Sequence, residues 1–228
     1  MASRNLQRRH AKAVQRKKVL QERRRLDAAG ANGSLAQRVR RARAAPVHAC
    51  LMQDSLFESG IGMVILTRKT GVRSFALGNF LVDAYCLGVK DAMFREVDEE
   101  QLETLLDGIG AGARLAPIDP AYARKLLRDA AAYAQSLGLP PHPDYAAVGP
   151  LFGDVDADAC DVQFPFGYQG RPLYVVGPTE SPTQIRRQID RLRRKLGDDG
   201  FDFVAPVDAL DVIEEPDDDD GEIDVGGA

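Results

Sequence analysis

Charge segregation constrains this chain more than any other feature. Residues 1–43 hold 14 Lys/Arg against two acids, Glu22 and Asp27. Residues 208–228 hold 10 Asp/Glu and no base. Between them, 44–207 holds 16 bases and 22 acids, so a net charge of only −4 conceals a strongly polarised molecule. Blocks of like charge repel themselves and do not build an apolar core. Folding is therefore expected in the middle, with the two ends as interaction segments. The predicted organisation is a basic arm over 1–45, an α+β domain over 46–207 and an acidic, disordered tail over 208–228.

The middle has the length of one ordinary domain. Hydrophobic residues make up 44% of the chain, enough for a sizeable core. The longest apolar runs, Met63–Leu66 and Phe80–Val82, are strand-sized, and none approaches a membrane span. The N-terminus lacks the apolar core of a secretory signal. It is Arg-rich like a transit peptide but poor in Ser. Cys50, Cys86 and Cys160 are too sparse for a disulfide scaffold, which fits a reducing cytoplasm.

Residues 4–26 read as a helix that is polar all round, unsuited to docking on the protein's own core. Ala28–Ser34 is a break, Leu35–Arg43 a second basic stretch, and the fold is expected to begin at Pro46. Gly62–Lys69 and Arg73–Asp83 read as two strands joined at Thr70-Gly71, an antiparallel hairpin. Ala84–Phe94 reads as a helix or a turn into one, weakened by Gly88. Asp98 and Gln101 form a capping box ahead of a helix closed by Gly108. Asp119 and Pro120 open the next helix, whose face is Tyr122, Leu126, Ala130, Tyr133, Ala134 and Leu137, and Gly138 ends it. Asp144 is expected to cap a short helix through Val148. Val162–Gly167 and Arg171–Val176 flank a turn and predict a second antiparallel hairpin with edge prolines. Ser181, Pro182 and Gln184 start a helix with an apolar stripe of Ile185, Ile189, Leu192 and Leu196 and a basic outer face. Phe201–Val204 is a last strand. The predicted fold is thus α+β, two antiparallel hairpins packed by several helices, with a basic helical arm in front.

Candidate chemistry is sparse. Clustered cations in the arm (Arg4, Arg8, Arg9, Lys12, Arg16, Lys17, Lys18, Arg23, Arg24 and Arg25) suit phosphate backbones, through counterion release without sequence readout. The plainer reading is a solvated arm, or one that pairs with the acidic tail. Asp83, Lys90 and Asp91 form the most suggestive polar cluster, since carboxylates at a strand end can hold Mg²⁺ for phosphoryl chemistry. The plainer reading makes Asp83 a cap on the following helix and leaves Lys90 and Asp91 solvated. His48, Cys50, Cys86 and Cys160 match no zinc-module spacing, so no metal is expected. His48 and Cys50 would share a strand face. A Cys–His nucleophile from Cys50 or Cys86 with His48 or His142 lacks any signal that orients base onto thiol. No phosphate-binding glycine loop follows a strand, and no cofactor is expected.

Three stretches, Phe80–Asp91, Tyr133–Tyr145 and Phe166–Pro178, together resemble an uncharacterised bacterial family of small proteins or appended domains, often opening with a Lys/Arg-rich segment. The resemblance covers most of 46–205. It implies a bacterial cytoplasmic protein with one compact domain, and it carries no activity and no catalytic residue.

The leading expectation is a non-enzymatic, cytoplasmic binding protein whose residues 1–43 contact RNA, DNA or the ribosome, with no membrane partner. A metal-dependent phosphodiester hydrolase using Asp83, Lys90 and Asp91 is the alternative. A protein-interaction module using both charged ends is a third.

Overall fold

The computed structural model describes residues 33–178 and 180–205. The arm residues 1–32 and the tail lie outside them. Helix α1 (Leu35–Ala42) is set by a Ser34–Gln37 capping box, and it buries Val39 and Ala42 in the main core. The packed structure therefore begins before Pro46, within the stretch expected to be arm. Four long strands follow: β1 (Val47–Gln53), β2 (Ile61–Lys69), β3 (Ser74–Asp83) and β4 (Gly88–Asp98). The single-turn helix α2 (Leu56–Ser59) joins β1 to β2. With β5 (Leu115–Pro117), they form an antiparallel sheet in the order β4-β3-β2-β1-β5. The expected first hairpin is β2–β3, paired from Ile61↔Asp83 to Lys69↔Phe75.

The α+β class holds, with an antiparallel sheet packed by helices. On one face Cys50, Met52, Val64, Leu66, Ala76, Phe80, Val82, Ala92 and Phe94 form the main core. Helix α4 (Pro120–Ser136) covers it with Ala123, Leu126, Leu127, Ala130 and Ala131. Helix α5 (Pro143–Val148) and a 3₁₀ turn at Gly149–Phe152 complete that layer. The other face buries Ile65, Phe75, Leu77 and Val97 beneath helix α3 (Glu99–Gly110) through Leu102. Asp98 and Gln101 cap α3 as expected, and Asp119 with Pro120 open α4. Helix α3 does not close at Gly108 but runs on to Gly110, with the N–H of its C-cap, Ala111, still bonding Asp107 O.

Two expectations fail for tertiary reasons. Ala84–Phe94 is a turn followed by strand β4, because β3 supplies a ladder partner from Ser74↔Asp98 to Asp83↔Gly88. Gly88 has φ +64°, and a Cβ there would lie 2.4 Å from the Ala130 carbonyl oxygen. This glycine is needed for close approach of α4 to the sheet. The second hairpin is also absent. Residues 162–167 form no strand, and only the Tyr168↔Arg171 bridge survives, around Gln169 (φ +51°) and Gly170 (φ +81°). Phe164 and Phe166 instead pack on α4, against Tyr122 and Tyr133 at ring separations of 5.0 and 5.2 Å.

The remaining strand, β6 (Leu173–Val175), pairs in parallel with β7 (Asp202–Val204) across helix α6 (Pro182–Leu196). Ser181, Pro182 and Gln184 start α6 as expected, and Ile185, Ile189 and Leu192 are buried. This βαβ unit has its own core of Tyr174, Phe201 and the α6 stripe, closed against Cys86, Leu87, Ala134, Leu137 and Leu139.

Candidate functional site

The turn after β3 brings together the polar residues singled out in the sequence, but not as one cluster. Asp83 is buried, and its Oδ1 accepts hydrogen bonds from the backbone N–H groups of Tyr85 (3.0 Å) and Cys86 (2.9 Å). Burial pushes its carboxyl up, opposed by the Cys86 hydrogen bond and the Lys90 charge. Asp83 thus caps the turn between β3 and β4, not the helix it was expected to cap, because strand β4 follows instead.

Lys90 is the extra residue of a β-bulge, since Leu81 pairs with Asp91 while Val82 pairs with Val89. Its Nζ lies 2.7 Å from Glu180 Oε1, with the two side chains only 20% and 13% exposed. Tyr174 donates its hydroxyl to Glu180 Oε2 at 2.5 Å. Burial and this carboxylate both raise the phenol's pKa. A Lys90–Glu180–Tyr174 chain therefore locks the βαβ unit to the sheet. Nothing in the local sequence marks Glu180 or Tyr174, because the turn that presents Glu180 meets Lys90 only in the fold.

Asp91 points elsewhere. Its Oδ1 lies 3.8 Å from His142 Nδ1, and Asp144 Oδ2 is 3.9 Å from the same nitrogen. The ligand atoms of this triad all lie within 4.8 Å of one another, and its N/O donors are of a kind that binds zinc. Two donors already have local work. His142 Nδ1 accepts from the Asp144 N–H at 3.3 Å, making His142 rather than Asp144 the cap of α5. Asp91 Oδ1 accepts from the Ala92 N–H at 2.8 Å. The His142 backbone N–H also satisfies Val89 O, covering the edge of β4.

The thiols and imidazoles are kept apart. Cys50 lies in the main core, where burial pushes its thiol up to about 12. Cys86 lies in the βαβ core and is raised for the same reason. His48 does not share the face of Cys50. A bulge in β1 between Val47 and Ala49 turns it to the opposite face, where its ring meets Phe75 at 4.7 Å. One extra residue is enough to reverse a strand's facing.

The cations divide into inward and outward sets. Arg68 is only 3% exposed and donates to the carbonyls of Ala45, Leu151 and Phe152 at 2.5–2.6 Å, tying the 3₁₀ turn to the sheet. Arg124 donates to the carbonyls of Gly153 and Val155. Arg38 pairs with Glu96 at 2.8 Å and lies over the Phe94 ring. By contrast, Arg187, Arg194 and Lys195 of α6 are exposed, and Arg191 is half-buried. The ten arm cations from Arg4 to Arg25 lie outside the described residues. A shallow cleft beside α3 is lined by Leu51, Leu106 and Leu115 with Asp107 and Arg114, and Arg114 is paired with Asp54 at 3.3 Å. Among the described residues, no helix is long and apolar enough to cross a membrane. Compared with known proteins, the chain matches no family model, no curated protein and no solved structure.

Proposed function

We propose that this is a non-catalytic nucleic-acid-binding protein whose basic N-terminal segment, residues 1–43, engages the phosphate backbone of RNA or DNA, free or within the ribosome. The observation that carries this reading is the concentration of 14 Lys/Arg in 1–43 beside a middle with more acids than bases. Such a segment binds by releasing condensed counterions, so its affinity falls steeply with salt. Of its cations, the four on and beside α1 are anchored to the fold, while the ten from Arg4 to Arg25 precede it. The three free cysteines, two of them buried, suit a reducing, cytoplasmic setting.

The hydrolase alternative draws no support from the geometry. Asp83 is committed to backbone N–H groups, Lys90 to Glu180, and Asp91 lies with His142 and Asp144.

The test replaces the ten arm cations with Gln in the full chain and measures oligonucleotide binding against salt. Binding by the parent with a steep salt slope, and its collapse in the variant, is the expected result. Equal binding by both proteins would refute the reading. Mg²⁺-dependent strand cleavage by the parent would favour the hydrolase instead.

A further inference from the structure

Helix α6 carries six Lys/Arg and one acid, Asp190, in 15 residues. Its apolar stripe, Ile185, Ile189 and Leu192, is buried, so the helix is held on the fold with its other side outward. Arg187, Arg191 and Lys195 follow one another a turn apart on the outward side, with Arg194 beside them. They span about 12 Å along the axis, at about 1.5 Å per residue. Among the described residues none of these four meets a carboxylate. Arg191 bonds Gln188 Oε1, and Arg194 bonds the Asp190 carbonyl.

Folding does not account for this stripe. Arg38, Lys90, Lys125, Arg128 and Arg171 elsewhere in the fold all pair with carboxylates. The acids that follow α6 are already taken, Asp198 by Arg193 at 3.2 Å and Asp202 by Arg171 at 3.0 Å. The helix dipole favours Arg194 and Lys195 in the last turn, but its effect fades within that turn and leaves Arg187 and Arg191 unexplained. Such a row of cations fits a polyanion. The apolar side of α6 is occupied by the fold, so none remains to enter a membrane interface. The helix also has no aromatic residue on which an unpaired base could stack. A nucleic-acid duplex needs neither. It presents one charge per about 1.7 Å of axis, and Arg and Lys hold it at phosphate oxygens without reading bases.

We infer that the outer face of α6 is a second nucleic-acid contact, with Arg187, Arg191, Arg194 and Lys195 laid against the phosphate backbone of a double helix. This rests on the nucleic-acid reading above and extends it from the basic N-terminal segment to the folded part. Helix α6 is capped at Ser181 and fixed by its buried stripe, so the four cations are displayed from a rigid element. Phosphate contacts of this kind set the orientation of a duplex on a protein.

The test uses the full chain and a short blunt duplex, made as DNA and as RNA. In the variant Arg187→Gln, Arg191→Gln, Arg194→Gln, Lys195→Gln, duplex binding at low salt is expected to weaken by about tenfold or more. Its salt slope should fall by about 3, close to 0.9 for each lost contact. A footprint on the parent needs no variant, because Lys195 is the only lysine on α6. Saturating duplex should slow acetylation of Lys195 several-fold, while the exposed Lys69 keeps its rate. Unchanged affinity and slope in the variant, or undiminished labelling of Lys195 at saturation, would overturn the inference. So would protection of Lys195 by polyglutamate but by neither duplex, which would assign the face to an acidic protein. Binding lost on replacing the ten arm cations but not the four of α6 sinks this inference alone. The reverse pattern sinks only the arm reading, and a parent that binds neither duplex sinks both.

Discussion

The five-stranded sheet and the βαβ unit are held by different physics. The sheet pairs β2 with β3 and β3 with β4 over nine and ten positions and buries apolar side chains on both faces. Its buried arginine, Arg68, meets neutral carbonyls. The βαβ unit has two strands of three residues, too short to be stable as an isolated pair. It adds an apolar helix face and a polar lock, Lys90–Glu180–Tyr174, with Arg171 to Asp202 at 3.0 Å on its rim. Long backbone pairing plus burial on both faces is expected to make a unit that opens only globally. A small core, shared with Cys86, Leu87 and the end of α4 and tied by a few polar contacts, is a candidate for opening on its own.

The sharpest way to break this contrast is to damage each region in turn. Phe80 is fully buried in the main core, and Phe80→Ala is expected to cost about 3–5 kcal/mol. Loss of protection from hydrogen exchange throughout the described fold is the expected readout. A loss confined to β3 would show that the sheet is not one cooperative unit.

Glu180→Gln keeps the size of the side chain but removes the charge facing Lys90. It is expected to cost about 1–3 kcal/mol, because the partner groups stay largely buried. The effect should be local. Cys86 of the βαβ core should then become faster to label with a thiol reagent, while Cys50 of the main core keeps its parent rate. Equal acceleration of both thiols would merge the two regions into one.

The smallest effect concerns pH. Burial raises the Asp83 carboxyl in the folded protein, so folding favours its protonated form. That contribution is fully present below the ordinary aspartate value and is lost as pH rises through the raised one. Asp83→Asn retains an oxygen to accept from Tyr85 and Cys86 and does not titrate. The stability of Asp83→Asn relative to the parent should therefore improve as pH rises through this window. A difference that is flat with pH would show that Asp83 titrates alike in both states.

Legibility in the sequence followed the range of the interaction. The caps at Asp98, Asp119 and Ser181 each close a hydrogen bond within three residues, and all three stand where the sequence places them. The β2–β3 hairpin is likewise local. Ala84–Phe94 was misleading because its choice between helix and strand rests with β3 and with the α4 backbone at Gly88. The run 162–167 looks like a strand by composition, yet Phe164 and Phe166 find aromatic partners on α4. The polar site was less legible still. Lys90 meets Glu180 only because a bulge and a distant turn converge, and His48 leaves Cys50 because of one unpaired residue in β1.

By itself the sequence determined the charge segregation, the α+β class, the starts of α3, α4 and α6, and the apolar stripes of α4 and α6. These depend on residue type and short spacing. Only the tertiary structure decided that α1 joins the core, that β6 and β7 pair in parallel, and that Asp83, Lys90 and Asp91 serve three separate contacts. Those outcomes depend on which distant surfaces meet, and a side chain's role is set by the partners that burial brings to it.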